Sequence, residues 1–146
     1  MNRQMLSIGR ILAFQARFQH EINPEFSSEQ IDWDELFDCY CQESQIRPSE
    51  EERVSAIEFG RNLFNGAIER KSDIDAILDA SLNKRTLKQT GMVERSILRI
   101  AAYEICFLKT AKAIVISEAI GLSKQFGAEG SASFINGVLD HVDKKR

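Results

Sequence analysis

The sequence predicts an all-α fold: about seven helices in one domain of 146 residues, with packed helical subdomains over 1–71 and 72–146. Three observations carry that expectation. Only two prolines, Pro24 and Pro48, interrupt the chain. Long stretches repeat apolar residues with the 3.6-residue period of an amphipathic helix. Helix-start signals stand at the expected intervals between those stretches.

The first helix is expected over Gln4–Glu21, with Ile8, Ile11, Leu12, Phe14 and Phe18 on its apolar face and Asn23-Pro24 ending it. Arg3, Arg10 and Arg17 recur every seven residues, so they share one stripe, read as solvated. Ser27 to Gln30 reads as a capping box opening the second helix, which carries Ile31, Leu36, Phe37 and Tyr40. Ser49 to Glu52 is a second box, straight after Pro48, and its acids favour the positive end of a helix dipole. The helix behind it runs through Val54, Ile57, Phe64 and Ile68 to about Arg70. Ser72 with Asp75 starts a fourth, using Ile74, Ile77, Leu78 and Leu82. The polar, basic segment Asn83–Gly91 is expected to be a loop. The fifth helix spans Met92–Leu108. The sixth covers Ala113–Phe126 and closes on Gly127 as a left-handed cap. The seventh covers Ser131–Val142.

The bulk properties narrow the function. A chain of this length buries roughly 70% of its unfolded surface, enough for an independent fold. Hydrophobic residues make up 43% and charged residues 28%, ordinary for a soluble protein. No apolar run is long enough to span a membrane, and the N-terminus lacks a signal-peptide cleavage site, so a cytoplasmic protein is expected. Cys39, Cys41 and Cys106 are an odd count for a disulfide framework, and His20 and His141 lack finger-like spacing, so the cysteines read as half-buried helix positions and the histidines as surface ones. No phosphate-binding loop, dinucleotide fingerprint or nucleophile elbow is present, so neither catalysis nor a cofactor is expected.

The net charge of −3 is unevenly spread. Residues 1–20 hold three arginines and no acid, 21–58 hold twelve acids against Arg47 and Arg53, and 59–112 hold ten bases against six acids. Such segregation permits a basic face on an acidic chain. The face of Arg3, Arg10 and Arg17 is expected to join Lys84, Arg85 and Lys88 in it if the loop folds nearby. The acidic stretch reads as a solvated face.

Met92–Ile105 poses a sharper question. On a helical wheel Val93, Ile97, Ile100 and Ala101 form one stripe, and Arg95 and Arg99 point away from it. Glu104 falls inside the stripe, with Glu94 at its edge. A buried unpaired carboxylate costs several kcal/mol. Glu104 is therefore either a satisfied structural acid or a residue facing a protein partner. Phe134 is equally divided between a core anchor and an exposed ring that stacks on a base or packs on the partner.

Two segments taken together resemble the NusB family of transcription antitermination factors. Glu94, Arg95, Leu98, Arg99, Ala101, Tyr103 and Glu104 match one family motif. Glu118-Ala119-Ile120 and Phe134-Ile135-Asn136-Gly137-Val138-Leu139-Asp140 match the next two. The resemblance is close over about the last 55 residues and looser, but in register, at Gln15–Phe18 and Arg61–Gly66. It implies two helical subdomains and pairing with NusE, a small-subunit ribosomal protein. The pair is expected to bind boxA-like single-stranded RNA in ribosomal RNA transcripts and to act in the RNA polymerase antitermination complex and in ribosomal RNA maturation. It implies Arg3, Arg10, Lys84, Arg85 and Phe134 toward RNA, and Phe18, Glu94, Arg95, Tyr103 and Glu104 toward the partner.

The sequence departs from the family pattern in places. Leu6–Gly9 stands where clustered arginines are usual, which predicts weaker, less salt-dependent RNA binding. Arg17-Phe18 replaces Leu-Tyr, Ser117 replaces asparagine, and Ala111 replaces proline. Two other readings fit the same residues: a helical adaptor that binds only protein, and a detached RNA-binding domain of a ribosomal RNA cytosine methyltransferase. A homodimer is expected of the free chain if its partner face is apolar and exposed.

Overall fold

The computed structural model describes residues 2–83 and 85–142. Among them are seven α-helices and no strand: α1 (Arg3–Ile22), α2 (Trp33–Glu43), α3 (Glu50–Glu69), α4 (Lys71–Ser81), α5 (Met92–Cys106), α6 (Lys112–Phe126) and α7 (Ser131–Asp140). They form two compact units, Met1–Asn65 and Gly66–Arg146, with the division falling inside α3.

In the first unit α1 buries Met5, Ile8, Leu12, Ala13, Phe14 and Ala16. It approaches α3 at a pair of glycines. A Cβ on Gly9 would stand 2.7 Å from Phe59 and 3.0 Å from the Ala56 carbonyl, and one on Gly60 would stand 2.8 Å from the Gly9 carbonyl. The predicted box at Ser27 exists, with Gln30 Oε1 accepting the Ser27 N–H at 2.8 Å, but it closes a 3₁₀ turn over Ser28–Gln30. The α2 start is capped instead by Asp32, which accepts the Glu35 N–H at 3.0 Å. The box at Ser49 does open α3: the Ser49 N–H reaches Glu52 at 2.9 Å and the Glu52 N–H reaches Ser49 Oγ at 3.1 Å. Phe64 packs against the Trp33 and His20 rings, so His20 is half-buried rather than on the surface.

In the second unit α5 packs on α4, α6 and α7, and α6 packs on α7. Ile97, Leu98, Ala101, Ala102 and Ile105 fill its interior. α4 begins at Lys71 with Arg70 as its uncapped boundary, not at Ser72. The segment after it contains a 3₁₀ turn, Leu87–Gln89, closed by Gln89 Oε1 accepting the Thr86 N–H at 3.0 Å. Gly127 is extended (φ −92°, ψ 173°), which corrects the expected left-handed cap. A Cβ there would crowd the Ser123 carbonyl at 2.7 Å, so glycine is required by space. A left-handed glycine follows three residues later, Gly130 at φ 89°. Among the described residues no helix is long and apolar enough to cross a membrane.

Candidate nucleic-acid and partner interface

The motif segments of the second unit lie on α5, α6 and α7, and α5 and α7 meet through a carboxylate. Glu94 lies in the first turn of α5, and its Oε2 accepts the hydroxyl of Ser131, the first residue of α7. The orphan N–H groups of a helix start carry partial positive charge, so an acid shared by two starts is favoured. Gly91 leaves room for the other oxygen; a Cβ there would stand 2.5 Å from Glu94 Oε1. Glu94 is half-buried and remains reachable from outside.

One turn beyond Ser131, Phe134 is also half-buried, with the Arg85 guanidinium 4.4 Å over its ring centroid. The two lie in a groove of about 320 Å³ walled by Leu82, Asn83, Gly137 and His141. The Arg85–Phe134 pairing thus places an exposed cation and an accessible ring at one spot. Lys84 lies outside the described residues.

Arg95 is turned back on its own unit: Nη1 donates to the Thr90 carbonyl at 2.8 Å and the Lys88 carbonyl at 3.2 Å, locking the 3₁₀ turn against α5. Tyr103 stacks on Phe107 with centroids 5.6 Å apart, and Arg70 covers Phe107 at 5.0 Å. A Cβ at Gly66 would overlap the Tyr103 phenol ring. Tyr103 keeps partial exposure.

Glu104 resolves toward the interior. It is 1% exposed and has a partner, so its carboxylate is not displayed for docking from this position. Arg99, expected on the solvated side, is 7% exposed. Its Nε and Nη2 grip the two oxygens of Asp75 at 2.9 and 3.2 Å, while Lys71 meets the same carboxylate at 2.9 Å. Burial pushes the Asp75 carboxyl up, but the hydrogen bonds and charges of Arg99 and Lys71 outweigh it and hold the group below the usual carboxylate range.

In the first unit the arginine stripe is not a solvated one. Arg3 is exposed, Arg10 is 6% exposed with its guanidinium 5.4 Å from the Phe59 ring centroid, and Arg17 is 1% exposed and paired with Glu21 at 3.3 Å. Arg10 is therefore withdrawn from the expected RNA face. Phe18 is half-buried, its ring 6.2 Å from that of Phe14. None of the three cysteines is half-buried as expected: Cys41 and Cys106 are buried and Cys39 is exposed. Among the described residues no three His, Cys, Asp or Glu side chains are placed to hold a metal ion.

A model described as the NusB family matches residues 7–144. The chain belongs to the NusB family. A transcription antitermination protein NusB of Aliarcobacter butzleri is 46% identical over 103 residues, 70% of this chain and 74% of its own. Its counterpart in Elusimicrobium minutum is 43% identical over 95 residues, 64% and 68% of the two chains. Among solved structures, NusB of T. maritima superposes with a TM-score of 0.70 at 30% identity, covering 96% of this chain and 91% of that one. A structure titled as antitermination factors NusB and NusE in complex with double-stranded RNA gives 0.75 at 25% identity, covering 99% and 100%.

Two structural features of this NusB-family chain are not legible in the sequence. The sequence marks Asp75 only as a helix-start residue, and the packing of α4 on α5 reveals it as a counter-ion of Arg99. Ser131 reads from the sequence only as a helix start. The signal that marks it is the glycine before it, which has no side chain to cap α7.

Proposed function

We propose that the chain is a transcription antitermination factor that pairs with NusE and, as that pair, holds boxA-like single-stranded RNA of ribosomal RNA transcripts in the cytoplasm. It joins the RNA polymerase antitermination complex in that form and assists ribosomal RNA maturation. Recognition is its whole mechanism. The observation that carries the reading is the likeness, over 99% of this chain, to a NusB solved together with NusE and double-stranded RNA, and the preference for a single strand comes from the motif resemblance. In the second unit, Arg85 and Phe134 serve RNA, the ring by stacking and the guanidinium by meeting a phosphate. Glu94 and Tyr103 serve the partner. In the first unit Arg3 serves RNA and Phe18 the partner.

The burial of Arg10 and Arg17 favours one competing reading, an adaptor that binds NusE without RNA. A labelled boxA RNA, single-stranded and duplex, titrated with and without NusE at two salt concentrations separates the two. The expected result is tighter binding of the single strand with NusE present, weakened by salt. NusE binding with no gain in RNA affinity would instead establish the adaptor.

A further inference from the structure

We infer that the Glu94–Ser131 hydrogen bond couples partner docking to RNA binding, with Ser131 acting as a positioning residue for α7. The inference rests on the function proposed above, in which Glu94 meets the partner and Phe134 meets RNA.

The geometry is that of a relay. Glu94 stands half-buried at the α5 start, and its Oε2 is bonded to the Ser131 hydroxyl. Ser131 is buried and opens α7. Phe134 follows three residues later, on the same face of the helix one turn along. The α7 N-cap, Gly130, is left-handed and offers no side chain to the helix start. The Ser131 hydroxyl donates to Glu94, so the bond ties the α7 start to the α5 start without capping an N–H of α7. A carboxylate accepts at both oxygens, so a partner donor can engage Oε1 while Ser131 keeps Oε2. Docking then fixes the Glu94 rotamer, steadies the first turn of α7 and holds the Phe134 ring ready beside Arg85. RNA that binds afterwards has less ordering to impose, which is positive cooperativity without a large conformational change. Linkage requires the reverse effect to be equal: RNA tightens NusE binding by the same factor.

The test measures that factor. The affinity of single-stranded boxA RNA is determined with and without NusE, and that of NusE with and without RNA, for the wild type, Ser131→Ala and Ser131→Thr. Removing one charge-assisted hydrogen bond should shrink the coupling factor about three- to ten-fold in Ser131→Ala. The affinity of each ligand alone should move by less than about two-fold, and Ser131→Thr, which keeps the hydroxyl, should retain the coupling. If alanine costs the fold, Ser131→Val against Ser131→Thr makes the same comparison between isosteres. Full coupling in the hydroxyl-free variant would overturn the relay, as would an equal loss of each ligand's affinity alone. Absence of any coupling in the wild type is a different result and would reject the proposed function itself.

Discussion

Arg99 shows what residue chemistry alone conceals. Its position on the α5 wheel is polar, and a lone arginine on a polar face is ordinarily solvated. Its burial follows from α4 lying across it and bringing Asp75 within a two-pronged grip. Removing the carboxylate of a largely withdrawn pair weakens the compensation of the guanidinium that stays behind. With the Asp75 side chain 22% exposed, Asp75→Asn should lower stability by about 1–3 kcal/mol, read by urea denaturation. The same pair sets an acid limit. Because the folded carboxyl sits below its unfolded value near 3.9, its contribution is complete above that pH and is lost as pH falls through the lower folded value. The wild type should lose stability across that acid window, and Asp75→Asn should show a flatter acid limb. Glu104 taught the same lesson from the other side: its place in an apolar stripe correctly marked it as unusual, but the choice between interior and interface required a measure of exposure.

At the scale of elements, the helices were legible because their signals are local. Periodicity located all seven, and the Ser49 box opened α3 as expected. What escaped was packing at close range. Leu6–Gly9 registered only as missing arginines, whereas Gly9 and Gly60 let two backbones approach in a way that a methyl group would obstruct. Gly9→Ala should cost about 1–3 kcal/mol by overpacking, seen as a lowered Tm. Gly121, a mid-helix glycine of α6 with open space where its Cβ would be, supplies the contrast: Gly121→Ala should raise stability by about 0.5–1 kcal/mol through reduced backbone entropy. Gly127 was rightly read as a helix end but for the wrong reason, since crowding and left-handed geometry both select glycine and leave the same letter in the sequence.

For the molecule as a whole, the family was readable from motifs on α5, α6 and α7, and the match over residues 7–144 extends to the weaker N-terminal likeness. The charge map was less readable, because a count of arginines says nothing of which are paired. Arg10 lies against Phe59, whereas Arg85 is exposed. Arg85→Ala should reduce the slope of log affinity against log salt for single-stranded RNA by about 0.7, the share of one phosphate contact. Arg10→Ala should leave the slope unchanged and lower the Tm, and a salt series of binding curves checks both. The meeting of Gly66 with Tyr103 carries a consequence on a longer timescale. With the phenol filling the volume that any larger residue at 66 would need, position 66 cannot change while 103 keeps its ring in place. A side chain at 66 becomes tolerable only after 103 has given up its ring, so descendants of this chain should gain one at 66 only where 103 has already become smaller.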